Sequence, residues 1–449
     1  MVAREVCPTD ADGGGTWNRE KGTILFGAFG GIQRVSAAGG EPKPVLKLDA
    51  SRQETTQLFP WFLPHGLHFL YYSGSTDSTK RGIRAGSLDG NTQPVMPEAS
   101  NVAFVKPGHI LFGRGTALMA TPFDPLKLSV TGDAFPIGEG LARQEFTPYT
   151  GFGASEAGGL AWRSGRLIET GVFRYTRDGR KLGSVGEVRP IRQFHLSPDN
   201  RYAALEVPEN DLWIMDLASG ITTRLTYDGK DNSDAVWSTD GHNIVFASRR
   251  AGAMAVYRKV VGELGDMEIL RSRERLAYPT QQFADGSILG VSLPAKAFSL
   301  LQPGKPQPQV LFESEFAKDG PQVSSDGRWI AYHSLETGRW EVYVAAFPSF
   351  TGRRRVSTAG GVQPHWRKDG RELFYVSPTG QLMAVPMKGG ASPEAGPPVE
   401  LFRVPLRAVP QYFQYEPTAD GRTFYFLEQP DDSASPVEVL LNWTGAGHK

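Results

Sequence analysis

The 449-residue sequence has a single cysteine, Cys7, so no internal disulfide can form and cysteine usage points to no redox compartment. No apolar run approaches the roughly 18 residues of a membrane-spanning helix. The opening residues, Met1-Val2-Ala3-Arg4-Glu5-Val6-Cys7-Pro8, lack the apolar stretch of a signal peptide. These two absences predict a soluble chain with no direct membrane insertion. An excess of either charge is missing too. Lys plus Arg number 48 and Asp plus Glu number 48, so no summed field draws the chain to nucleic acid.

Glycine (52 residues) and proline (33) are plentiful, beside 25 Phe, 14 Tyr and 9 Trp. A turn-dense chain with large side chains to bury favours short strands over helices. One frame recurs along it: a short apolar strand, a polar turn usually holding Asp-Gly, a strand of alternating β-formers, then further strands. The clearest copies are Phe194 to Leu205, with Ser197-Pro198-Asp199-Asn200 at the turn, and Gln322 to Tyr332, with Ser324-Ser325-Asp326-Gly327. Ala235 to Phe246 and His365 to Tyr375 follow, turning at Asp240-Gly241 and Asp369-Gly370. Six weaker copies turn at Gly22, Gly66, Gly108, Gly158, Gly286 and Gly421. Asp-Gly between two β-rich runs signals a hairpin, because glycine adopts the φ > 0 that a tight turn requires. A second hairpin follows in most units, as in Asp211 to Leu217 and Thr223 to Thr226. Four short strands in about forty residues is the blade of a β-propeller, so the predicted class is all-β with four-stranded antiparallel blades.

With these turns in view, the chain resembles the WD-like repeats of TolB-type β-propellers. Gly14-Gly15-Thr16-Trp17-Asn18-Arg19, Arg34-Val35-Ser36-Ala37-Ala38-Gly39-Gly40-Glu41-Pro42 and Gly115 to Pro125 carry a narrower likeness. They resemble the repeat region that follows the kinase domain and membrane helix in bacterial serine/threonine protein kinases. The resemblance implies a sensory or scaffolding propeller, held outside the cytoplasm when joined to its kinase. This sequence shows neither kinase domain nor membrane helix. Arg4-Glu5-Val6-Cys7 reads as the last strand of a blade whose earlier strands are missing.

Motifs for chemistry are scarce. Phosphoryl transfer needs a phosphate cradle and metal-binding carboxylates, and the Gly-rich loop, His-Arg-Asp and Asp-Phe-Gly motifs are all absent. Gly153-Ala154-Ser155-Glu156-Ala157 lacks the second glycine of a nucleophile elbow. His65 and His68 are explained by turn chemistry, without the further ligands that zinc requires. Asp228, Asp231 and Asp234 lack the bidentate glutamate of a calcium hand and read as carboxylates in a connection between blades. No cofactor and no metal are expected, and the chain is read as a non-enzyme, although channel chemistry can be assembled from distant residues.

Six units from about Gln193 onward make one six-bladed propeller, and four units precede it. The expected domains are 1–188, N-terminal propeller repeats truncated at the start, and 189–449, a TolB-like propeller; one larger ring is the rival arrangement. The expected function is recognition of a protein, a peptide or an envelope component. A detached kinase sensor, with a membrane kinase as partner, or an accessory to an enzyme is the alternative. Counting back four residues from each turn aspartate of the second propeller gives His195, Val236, Gln281, Gln322, His365 and Glu416. Counting back three gives Leu196, Trp237, Gln282, Val323, Trp366 and Pro417. Neighbouring strand residues face opposite ways. The second, apolar set suits packing between blades. The first is mostly polar, so His195, Gln281, Gln322, His365 and Glu416 are the candidate binding residues lining a wet central channel.

Overall fold

A computed structural model describes residues 6–7, 13–28, 30–75, 77–143, 148–155, 159–164, 170–207, 211–251, 253–263, 268–272, 276, 278–292, 295–305, 307–388, 394–404, 412–428, 437–441 and 443. Gly158 and the Arg4-Glu5 segment lie outside them. The regular secondary structure of the described residues is all strand apart from two short 3-10 turns, Ala50–Arg52 and Ser78–Lys80. No helix among the described residues is long and apolar enough to cross a membrane.

The repeated turn is held by a hydroxyl and a carboxylate. Ser197 Oγ donates to Asp199 (2.5 Å), while the backbone N–H of Tyr202 donates to Ser197 Oγ (2.8 Å). Ser238 and Asp240, Ser324 and Asp326, and Thr418 and Asp420 repeat the pair. These hydroxyl hydrogen bonds hold the Asp199, Asp240 and Asp420 carboxyls below the usual carboxylate range. Gly241, Gly327 and Gly421 take the positive φ behind the aspartate, and Asn200 (φ 57°) does the same work where glycine is replaced.

The chain divides into two compact units, Met1–Ile168 with Ser433–Lys449, and Glu169–Asp432. The first holds four sheets joined in series by three buried clusters, centred on Leu25 and Phe69, on Ile110 and Phe112, and on Leu111 and Leu160. Its fourth sheet is completed by Val437–Leu440, which pairs with Leu160–Arg163.

The second unit is a propeller of six antiparallel sheets. The innermost strands of blades 1 to 6 are Gln193–Leu196, Ser233–Trp237, Tyr278–Gln282, Lys318–Val323, Val362–Trp366 and Tyr415–Pro417. A buried cluster lies between every neighbouring pair of blades, including blades 6 and 1, where Tyr425 and Leu427 pack with Phe194 and Leu205. Each fully buried Phe or Leu contributes about 1.5–3 kcal/mol, so the stability is spread around the ring. Blade 6 is built from both ends of the unit, with Thr170–Thr176 pairing with Thr423–Glu428. The division therefore falls before the boundary expected at 188, and the last residues leave the expected 189–449 domain. Burying the outward edge of Thr423–Glu428 requires a strand from far away in sequence, which a count of local hairpins does not reveal.

Blade ends are pinned by buried acids. Asp211 accepts from Thr226 Oγ1 (2.6 Å) and pairs with Arg224, and Glu341 accepts from Ser357 Oγ and pairs with Arg339.

Candidate functional site

The candidate site is the axial channel of the second unit, surrounded by the six innermost strands. Adjacent blades are stitched there by their side chains. Trp237 Nε1 donates to the His195 carbonyl (2.9 Å), and Trp366 Nε1 donates to the Gln322 carbonyl (3.1 Å). The apolar set expected between blades thus includes two indoles that also carry hydrogen bonds. Gln281 spends its amide on the next blade, accepting from Val323 N (2.7 Å) and donating to Val323 O (3.3 Å).

His195, His365 and Glu416 come together. His195 Nδ1 and Glu416 Oε1 are 2.7 Å apart, and Glu416 Oε2 accepts from Leu196 N (2.7 Å). The Phe413 ring lies between the two imidazoles, with centroids 5.0 Å from His195 and 5.2 Å from His365. A Cβ on Gly320 of blade 4 would come within 3.6 Å of the same ring. Phe413 therefore lies against blades 1, 4 and 5 at once. This corrects the wet surface expected here: His195, His365 and Glu416 are buried. Gln281 and Gln322 are half-buried on blades 3 and 4 and are not part of this group.

Titration follows from that burial. Burial pushes His365 down to about 4, and its Nε2 has no hydrogen-bond partner. Burial also pushes His195 down, but the charge and hydrogen bond of Glu416, with Glu206 and Asp234 behind them, outweigh it and raise the pKa.

A second polar layer lies nearer the start of the innermost strands. Gln193 Nε2 donates to Glu206 Oε1 (2.8 Å) and to Asp234 Oδ1 (3.3 Å), and Gln193 Oε1 accepts from Phe413 N (3.1 Å). Tyr278 Oη donates to Asp319 Oδ2 (3.2 Å), and Gln363 accepts from Gln414 N (2.9 Å). All six blades contribute to this layer. Asp234, Gly320 and Gln363 take φ of 55°, 58° and 55° at bulges in their strands. A non-glycine residue there is strained, and the bend turns the strand entrance toward the axis.

These acids are poorly solvated. Burial, with a smaller push from Asp234, raises Asp319 to about 7. Burial and the Asp234 charge raise Glu206 to about 7, against the pull of Arg192. Burial raises Asp234 as well. Asp234, Tyr278, Tyr412, Gln414 and Arg192 are only half-buried, so solvent reaches the layer, while Phe413 behind it is buried. This polar layer is taken as the mouth of the candidate site, with Phe413 buried behind it. Asp228 and Asp231, by contrast, pair with Arg250 and Arg249. Among the described residues no three His, Cys, Asp or Glu converge closely enough to hold a metal ion.

A separate cleft of about 750 Å³ opens between blades 1 and 2 over the stacked Tyr202 and Trp237. Of its cations, Arg224 and Arg250 are engaged by Asp211 and Asp228.

No family model matches the chain, and no curated protein matches it. Among solved structures it is similar to a candidate TolB from Agrobacterium tumefaciens, at 19% identity over 58% of this chain and 98% of that one, with a TM-score of 0.45. TolB from Acinetobacter baumannii is 12% identical over 73% and 79% of the two chains, with a TM-score of 0.37. An oligogalacturonate lyase in complex with manganese is 14% identical over 62% and 95%, with a TM-score of 0.41. The fold rests on the sheets themselves.

Proposed function

We propose that the chain is a non-catalytic binding propeller and that the mouth of the second unit takes part of a protein or peptide ligand, such as an exposed segment of an envelope component. The observation that carries this is the mouth layer, where groups from six blades leave a buried carboxylate oxygen, Glu206 Oε2, without a hydrogen-bond partner. An unsatisfied buried acceptor lowers stability by about 1–3 kcal/mol, and such groups concentrate where a ligand completes the bonding. Phe413 is buried behind this layer, which supports a ligand that enters from the mouth side and projects a side chain or chain end. The resemblance to kinase-linked repeats fits a sensory version of the same role, with a membrane kinase reading the bound state outside the cytoplasm.

Selection of a random peptide library on the immobilised full-length protein tests this reading. Peptides are expected that bind the wild type and are lost on Tyr412→Ala, which alters the mouth without touching a blade core. A library that yields no binders, or only binders indifferent to Tyr412→Ala, contradicts it.

A further inference from the structure

We infer that the mouth of the second unit is a site for a protonated amine, supplied by a lysine side chain or a chain N-terminus of the ligand. The inference rests on the mouth being a binding site and names the chemistry it accepts.

Three carboxyls face this layer, on Glu206, Asp234 and Asp319, with Glu416 one level deeper. The cations that reach them are Arg192 and His195. His195 is engaged by Glu416, and the Arg192 guanidinium stands over the Tyr412 ring, 5.7 Å from its centroid. The balance of the mouth is therefore acceptor-rich. Glu206 is only 2% exposed, yet its Oε2 meets no donor, while Oε1 accepts from Gln193 Nε2 and Ala235 N. A ligand that brings N–H donors and positive charge satisfies both deficits together.

The aromatic groups narrow the choice to an ammonium. Tyr278 donates to Asp319 and senses the charge of Asp234, and Tyr412 senses Asp234 and Glu206. Burial raises both phenols, so each stays neutral beside a carboxylate, and Tyr412 already takes one cation, Arg192, over its ring, the kind of pairing that suits an alkylammonium. No three carboxyls of the layer group closely enough, among the described residues, to hold one metal ion. They suit a group with several N–H donors that reaches more than one carboxyl. Burial, and for Glu206 the Asp234 charge as well, holds Asp319 and Glu206 near 7, so an arriving cation drives proton release from them.

Calorimetric titration of the full chain at pH 8 tests the assignment with four probes. These are cadaverine, the tripeptide Ala-Ala-Ala-amide with a free N-terminus, Ac-Ala-Lys-Ala-amide, and the uncharged control Ac-Ala-norleucine-Ala-amide. Binding is expected for cadaverine and for at least one amine peptide, and the peptide that binds identifies the source as chain end or lysine. The control should bind at least tenfold more weakly. Asp234→Asn and Asp319→Asn should each weaken amine binding tenfold or more while unfolding stays cooperative. Should either variant fail to fold, the wild type at pH 5.5 supplies the same test, because protonated acids should weaken amine binding tenfold. Equal binding of the control, no binding by any amine, or amine affinity unchanged by both substitutions and by pH overturns the inference. Library peptides that lack lysine, bind after N-acetylation and still depend on Tyr412 would overturn the amine assignment alone and leave the binding mouth standing.

Discussion

Glu416 on the last innermost strand of the second unit is bonded to His195 on the first, with Nδ1 and Oε1 2.7 Å apart across 221 residues of sequence. The same carboxylate accepts the Leu196 backbone N–H, so one side chain joins blade 6 to blade 1 through two contacts. Glu416→Ala should destabilise the protein by about 2–4 kcal/mol, since it leaves a buried imidazole and a backbone N–H without their acceptor. Glu416→Gln should lose less, because its amide oxygen still accepts from Leu196. His195 has a raised folded pKa, so its contribution is complete below about pH 6.5 and is lost as pH rises through the folded value. Urea unfolding at pH 6 and pH 8.5 should show the gap between wild type and Glu416→Gln narrowing at the higher pH.

Asp319→Asn should stabilise the protein at pH 8. The folded carboxyl titrates at about 7, whereas the unfolded one titrates at 3.8, so folding takes up a proton between those values and stability falls as pH rises through them. The amide can still accept from Gly320 N and can donate to Tyr278. A gain of about 1–3 kcal/mol is expected at pH 8, within the ceiling of ~4 kcal/mol that the shift allows, and almost none at pH 4. Thermal unfolding at the two pH values reads the difference.

His365 changes stability in the opposite direction with pH. Its pKa is held at about 4, so below about 6.5 the unfolded chain takes a proton that the folded chain refuses, and stability is lost as pH falls. His365→Phe keeps a ring against Phe413 and Tyr415 and removes the unpartnered Nε2. It should gain about 1–3 kcal/mol over the wild type at pH 5 and much less at pH 8. Equal gains at both values would contradict a buried neutral imidazole.

Trp237→Phe should destabilise by about 1–2 kcal/mol through loss of the hydrogen bond to the His195 carbonyl. Trp366→Phe should do the same at the Gln322 carbonyl. The two indoles bridge different blade pairs, so the double variant should show the sum within about 0.5 kcal/mol.

Much of the blade is local and was legible in the sequence. Ser197 with Asp199 and Thr418 with Asp420 close their turns through neighbours a few residues away, and strand parity correctly assigned Trp237 and Trp366 to packing between blades. The mouth was hidden because bulges at Asp234, Gly320 and Gln363 break the period-two count by which residues were assigned to faces. Glu206 lies on a second strand, outside the innermost positions that were counted. Phe413 precedes its strand in a connection whose sequence has no turn motif, yet it puts a buried ring among residues expected to line a wet channel. The two-ended blade 6 was illegible for a different reason, since the pairing of Phe173 with Phe426 depends on a closure that no local pattern encodes.

The protonation state of the mouth carboxyls bears most directly on the mouth as a poised binding site. Carbon-13 NMR of carboxyl-labelled aspartate and glutamate across pH 3 to 9 should show two carboxyls titrating near 7, on Asp319 and Glu206. Asp319→Asn should delete one of these curves, and addition of cadaverine should shift both to lower pH. A protein in which every Asp and Glu carboxyl titrates below pH 5 would contradict a buried, acceptor-rich mouth.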